Sequence, residues 1–189
     1  MDNKLKIINY LGKNMGKAFT MHKLSLILKI PYATFYRTLQ GMDYLVFKEL
    51  VGKSKTVALN TDNPSIKSYL AISSEEEKKE YLKKNPIISK ITSELDTKDI
   101  VVLFGSYAKG SERQSSDIDI LVINKNGNKS ISLSKYELLF KKKINPIFIK
   151  NTEFIEMLRE KSENVGKQAL KNNIVLNNPE NFWECALHG

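Results

Sequence analysis

The stretch VVLFGSYAKGSERQSSDIDILVI, Val101–Ile123, decides how this chain is read. It begins and ends as buried strand, yet Asp117 and Asp119 stand where a core strand wants valine or isoleucine. Side chains alternate along a strand, so the two aspartates share one face, roughly 7 Å apart along the backbone. Ile118, Ile120 and Val122 then face a core. Aspartate disfavours strands, like charges on one face repel, and burial adds a desolvation cost. A divalent cation with oxygen ligands removes the electrostatic penalties. Mg2+ characteristically combines one or two protein carboxylates with substrate phosphate. The pair therefore predicts a site for Mg2+ (or Mn2+) together with a nucleoside triphosphate.

The residues upstream fit the same ligand. Gly105-Ser106 follows the run IVVLF, whose β-branched and aromatic residues predict a strand buried on both faces. A glycine leaving a strand tolerates positive φ and lets a ligand approach the backbone. A turn of helix after it would aim free N–H groups at an anion. Ser106 adds a hydroxyl, and Lys109 and Arg113 add positive charge. A Walker-type phosphate loop is excluded by spacing. It requires lysine and then Ser/Thr directly after the second glycine, whereas Ser111 follows Gly110 here and Lys109 precedes it.

Gly105-Ser106, Gly110, Ser116 and Asp117-x-Asp119 together resemble the signature of the DNA polymerase beta-type nucleotidyltransferase superfamily, in particular its minimal prokaryotic domains. The resemblance implies a small mixed sheet with helices on one face. It implies that Gly105 and Ser106 hold a triphosphate, with Lys109, Arg113 and Ser116 beside it. It implies that Asp117 and Asp119 are catalytic and hold Mg2+. The implied reaction transfers a nucleoside monophosphate, expected to be AMP, from NTP to a hydroxyl and releases pyrophosphate. Active members place a third carboxylate on a later strand. Here that strand is INPIFI, Ile144–Ile149, which offers Asn145 and Pro146 instead. Asparagine carries no charge and cannot serve as a base. Pro146 lacks a ladder donor and predicts an edge or bulged strand.

Ahead of this region, apolar residues at helical spacing predict a helix over 2–14 and a second one capped by Thr20, with Leu24, Leu26, Ile27 and Leu28 buried. Pro31 opens a third helix, and FKELVGKSKTVALN predicts a hairpin about Gly52–Lys53–Ser54. Three helices and a basic hairpin resemble a winged helix-turn-helix over about residues 2–60. That resemblance implies Tyr32, Thr34, Tyr36, Arg37 and Gln40 facing double-stranded DNA, with Lys53 and Lys55 on the wing. A purely dimerising module has the same pattern. Residues 63–85 predict a charged linking helix with Ser74 as a cap. The expected fold class is α+β: a winged helix-turn-helix (1–62), a helical connector (63–85) and a nucleotidyltransferase-fold domain (86–189). Within the last, SLSKYELLFKKK predicts a helix burying Leu133, Tyr136, Leu139 and Phe140, and PENFWECALHG a helix anchored by Phe182 and Trp183.

Totals narrow the classes further. The chain has 189 residues, 41% of them hydrophobic, enough for a core. No apolar run reaches membrane length, the segment MDNKLKIINYLGK lacks a signal-peptide pattern, and a single cysteine excludes an internal disulfide; a cytoplasmic protein is expected. The net charge is +9. Residues 1–62 hold ten basic and four acidic side chains, so most of the excess lies there. Such asymmetry points to nucleic acid or to a lysine-rich solvated surface. The readings are therefore a nucleotidyltransferase, or a DNA-binding regulator or antitoxin-like protein that binds nucleotide without turnover. A protein partner and a homodimer are compatible with each.

Overall fold

Every strand of the second half of the chain is short and mostly apolar, and the computed structural model, which describes residues 1–189, gathers them into one four-stranded sheet. The elements run α1 (Asn3–Gly12), β1 (Phe19–Thr20), α2 (Met21–Ile27), α3 (Tyr32–Gln40), β2 (Val46–Val51), β3 (Ser54–Leu59), α4 (Ile66–Leu82), α5 (Pro86–Ser93), β4 (Ile100–Phe104), α6 (Gly105–Lys109), β5 (Ile118–Asn124), α7 (Ser134–Phe140), β6 (Ile144–Lys150), α8 (Asn151–Arg159), α9 (Val165–Lys171), β7 (Ile174–Asn177) and α10 (Pro179–Leu187). They form two compact units, Met1–Ser73 and Ser74–Gly189.

In the first unit, α1, α2 and α3 accompany an antiparallel sheet of order β1-β3-β2. Asp2 caps α1, and Thr20 caps α2 by accepting from the Lys23 N–H at 3.2 Å. The helices bury Ile7, Ile8, Leu11, Leu24, Phe35 and Leu39. Leu26 and Ile27, expected inside, are exposed. With 3.6 residues per turn, the buried side of this two-turn helix is set by Met21, Leu24 and Ser25, which leaves its next two residues pointing outward. The β2–β3 connection is tighter than expected. Val51 pairs with Ser54, so only Gly52 and Lys53 form the turn, and Gly52 supplies the left-handed φ it needs.

The second unit has the sheet order β6-β5-β4-β7. β5 and β6 are parallel, joined across α7, and the other two pairings are antiparallel. All of β4 is buried. A strand buried on both faces needs cover on both. One face meets Ile88 and Ile91 of α5, Tyr107 of α6 and Tyr136 of α7. The other is covered by α8, α9 and α10, with Phe154, Phe182 and Trp183 fully buried. Helices thus flank the sheet on both sides, not on one. Leu139, expected in the core, is exposed, because the seven-residue α7 is anchored by Tyr136 together with Leu133 at its N-cap. Ser74 is no cap either. It lies within α4, buried, and its Oγ accepts from Trp183 Nε1 at 2.8 Å. The continuous α4 runs through this serine, so the helix needed no start there.

Candidate functional site

The sheet register assembles the acid pair. β4 delivers the chain to Gly105 at its end, and Phe104 pairs with Asp119 on β5. Asp117 directly precedes β5. Across the parallel pairing, Asp119 stands beside Asn145 and Ile118 beside Ile144. The hydrogen bond from Ile118 N–H to Lys143 O at 2.9 Å fixes the start of both strands. β6 is an edge strand, so Pro146 costs no ladder bond on its outer side.

Asp117 and Asp119 converge on one group. Asn145 Nδ2 donates to Asp117 Oδ2 at 3.1 Å and to Asp119 Oδ1 at 3.3 Å. The other oxygen of Asp119 points at Gly105. A Cβ on Gly105 would lie 2.2 Å from Asp119 Oδ2, and its φ of +71° is one that side-chain-bearing residues rarely adopt. The glycine is therefore required twice, for its backbone conformation and for the room that it leaves to the carboxylate. Lys143 Nζ sits 3.3 Å from Asp117 Oδ2. The Asn145 amide first, and then the Lys143 and Lys142 charges, hold the Asp117 carboxyl below its ordinary value of 3.8, despite some opposing desolvation. Asp117 is thus ionised across the neutral range.

These residues fit a small hard cation. Two facing carboxylates offer oxygens at one point, and an asparagine side chain beside them can present either an N–H donor or a carbonyl oxygen. No group of three or more His, Cys, Asp or Glu side chains gathers anywhere in the chain. A cation held here would complete its shell with water and with phosphate oxygens. Asn145 is the register partner of Asp119 on the neighbouring strand. Glu153 is spoken for elsewhere: it accepts from the Lys150 N–H at 2.7 Å and caps α8.

The remaining residues expected at this site divide. Ser106 is half-buried in α6, a helix of only five residues. Ser116 closes its own turn: its Oγ accepts from the Arg113 N–H at 2.8 Å, and its N–H donates to Arg113 O at 2.9 Å. Its hydroxyl shapes the loop that leads into Asp117. Lys109 and Arg113 are exposed and line different hollows. Lys109 borders one of about 490 Å³ with Glu77, Tyr81 and Glu112. Arg113 borders one of about 310 Å³ with Lys84, Tyr107 and Lys142. The basic partner of Asp117 is instead Lys143, the last lysine of the segment SLSKYELLFKKK.

In the first unit, Tyr36, Gln40 and Lys55 border a hollow of about 370 Å³ between α3 and the β2–β3 hairpin. Lys55 Nζ lies 5.6 Å from the Tyr36 ring centre, joining hairpin to helix. Tyr32, Arg37, Gln40, Lys53 and Lys55 are exposed, whereas Thr34 and Tyr36 are half-buried. Asp43 and Glu49 border the same hollow, and Asp43 pairs with Lys48. The positive surface between helix and hairpin is therefore interrupted by acid.

A family model described as "Polymerase beta, Nucleotidyltransferase" matches residues 76–181, more than half of the chain. No curated protein and no solved structure matches. No helix is long and apolar enough to cross a membrane.

Proposed function

Because the chain belongs to the polymerase beta nucleotidyltransferase family, we propose that it binds a nucleoside triphosphate with Mg2+ or Mn2+ at Asp117 and Asp119 and transfers AMP to a hydroxyl. The observation that carries this reading is the convergence of the two carboxylates on Asn145 Nδ2, with Asp119 also filling the side-chain position of Gly105. Gly105 and Ser106 would receive the triphosphate, supported by their place at the end of β4 and beside Asp119. A bound divalent cation would supply charge neutralisation at the phosphates. In the transfer, the acceptor oxygen forms a bond to the α-phosphorus, the bond to the β-phosphate bridging oxygen breaks, and pyrophosphate leaves. The acceptor's proton passes to solvent, since Asn145 has no basic atom to take it.

Asn145 also favours a second reading, in which the site holds nucleotide and turnover is absent. The first unit would then carry the output. Its element order, three helices and then the β2–β3 hairpin, supports reading it as a winged helix in which α3 and the hairpin would be the reading parts. On this reading it binds double-stranded DNA through Tyr32, Thr34, Tyr36, Arg37, Gln40, Lys53 and Lys55, in the cytoplasm, as a homodimer or with a partner protein in an antitoxin-like role. ATP labelled at the α-phosphate separates the two readings. Label passing to an acceptor in lysate, and lost in Asp117→Ala/Asp119→Ala, supports transfer. Binding of ATP by calorimetry that depends on both aspartates, with no label transferred under Mg2+ or Mn2+, supports the second.

A further inference from the structure

The run Lys141–Lys143 contains one lysine that is committed and one that is not. Lys142 Nζ donates to the Gln114 carbonyl and so ties the end of α7 to the loop before the acid pair. Lys143 is different. Its backbone is fixed, because its carbonyl accepts from the Ile118 N–H and the next residue's N–H donates to Glu137 Oε1 at 2.9 Å. Its side chain is 68% exposed and makes one ion pair, 3.3 Å from Asp117 Oδ2. A lysine anchored at its backbone and free along its four-carbon stem can move its ammonium by several ångströms without disturbing the sheet.

Its position matters because of what competes for Asp117. A divalent cation that bridged Asp117 and Asp119 would meet the Lys143 ammonium at the same carboxylate. Two cations cannot share one oxygen without repulsion. An arriving triphosphate changes that balance, since its oxygens offer the ammonium a second anionic partner beside the first. We infer that Lys143 is an exchangeable counterion: it neutralises Asp117 in the free chain and passes to the phosphates when cation and nucleotide load together. This rests on the reading of Asp117 and Asp119 as the cation holders. It deepens that reading by making uptake ordered. The free cation is disfavoured, the cation–nucleotide complex is favoured, and one side chain produces both effects.

The consequence is a substitution with opposite signs. In Lys143→Gln the competitor is gone, so Mn2+ alone binds about two- to fivefold tighter, the range an exposed ion pair is worth. The same variant loses a charged phosphate contact, so ATP with Mn2+ binds about 10- to 100-fold weaker. Lys143→Arg keeps the charge and returns both affinities toward wild type. Lys142→Gln, beside it, serves as the control for general loss of positive charge and shifts Mn2+ alone by less than Lys143→Gln. Calorimetry of the full chain, titrated first with Mn2+ alone and then with ATP in excess Mn2+, reads both quantities. Opposite shifts support the exchange. Shifts of the same sign, or no change for Mn2+ alone, overturn it while leaving the acid-pair site standing. If the wild-type chain binds no ATP even in excess Mn2+, the exchange and the site it rests on fall together.

Discussion

Two glycines in the loop region between β4 and β5 separate backbone strain from the geometry of the acid pair. Gly105 and Gly110 both have left-handed φ, +71° and +65°. Alanine at either position costs about 1–2 kcal/mol for that conformation. Only at Gly105 does the new methyl meet anything. It would lie 2.2 Å from Asp119 Oδ2 and 3.2 Å from its Cγ, whereas Gly110 has nothing within 4 Å. Gly105→Ala therefore forces the Asp119 carboxylate aside and breaks its 3.3 Å bond to Asn145. Both variants should lower the melting temperature of the second unit by about 4–8 °C, at roughly 4 °C per kcal/mol. Their ligand affinities should part. On the proposed reading Asp119 is a cation ligand, and disturbing the contacts that orient such a ligand costs about 10- to 100-fold in affinity, so Gly105→Ala should weaken ATP·Mg2+ by that factor and Gly110→Ala by less than about threefold. Calorimetry with ATP and Mg2+ below both melting transitions makes the comparison. A folded Gly105→Ala that binds as wild type does, or a Gly110→Ala that loses as much, would show that the Gly105–Asp119 approach has no part in binding.

Glu94 gives a pH signature away from the site. It accepts from Lys135 at 2.8 Å and Tyr136 at 2.9 Å and pairs with Lys90, and these bonds, Lys135 first, lower its pKa from the ordinary 4.5 to about 2. A depressed carboxylate stabilises fully above its unfolded pKa and loses that contribution as pH falls from about 4.5 through about 2. The melting-temperature gap between wild type and Glu94→Gln should accordingly narrow below pH 4.5, and a gap that stays constant into acid would contradict the pairing. Trp183, fully buried and bonded to Ser74 Oγ at 2.8 Å, should cost about 2–3 kcal/mol as phenylalanine. Ser74→Ala in the same background should then cost almost nothing more; full additivity in denaturant melts would mean the bond is idle. If the first unit reads DNA, Arg37→Ala should relax sequence preference and Lys53→Ala should weaken all duplexes alike in gel shifts over several salt concentrations. Equal affinity of the wild type for its best site and for random duplex would reject that role.

Local chemistry made most of the second unit readable in advance. IVVLF is too apolar for anything but a strand covered on both faces, and DIDILVI repeats with period two up to its buried end. The acid pair was legible because carboxylates at a strand entrance conflict with burial and so demand a reason. What escaped was set by partners far along the chain. β1 has two residues, too few for a periodic signal, and forms only because β3 offers it an edge. Ser74 reads as a cap from its neighbours, and only Trp183, over a hundred residues later, explains its burial. Leu139 fits a helical stripe by spacing, but within the seven-residue helix only Tyr136 is buried. Lys143 was visible as charge and invisible as a partner, because its closeness to Asp117 depends on the parallel pairing of β5 with β6.

That pairing also sharpens what the asparagine means. Once Asp119 and Asn145 are register partners, the residue at 145 is not a substitution at the margin of the site. Its Nδ2 is the atom on which both carboxylates close. An aspartate there would bring a third negative charge against two others, with Lys143 the one ion-pair partner Asp117 has among the lysines. The asparagine carries no such charge and donates two hydrogen bonds to the pair. The same exchange removes a proton acceptor, and a positioned general base contributes about 10²- to 10⁴-fold to rate. On the reading proposed above, any transfer at this site proceeds without a general base at residue 145.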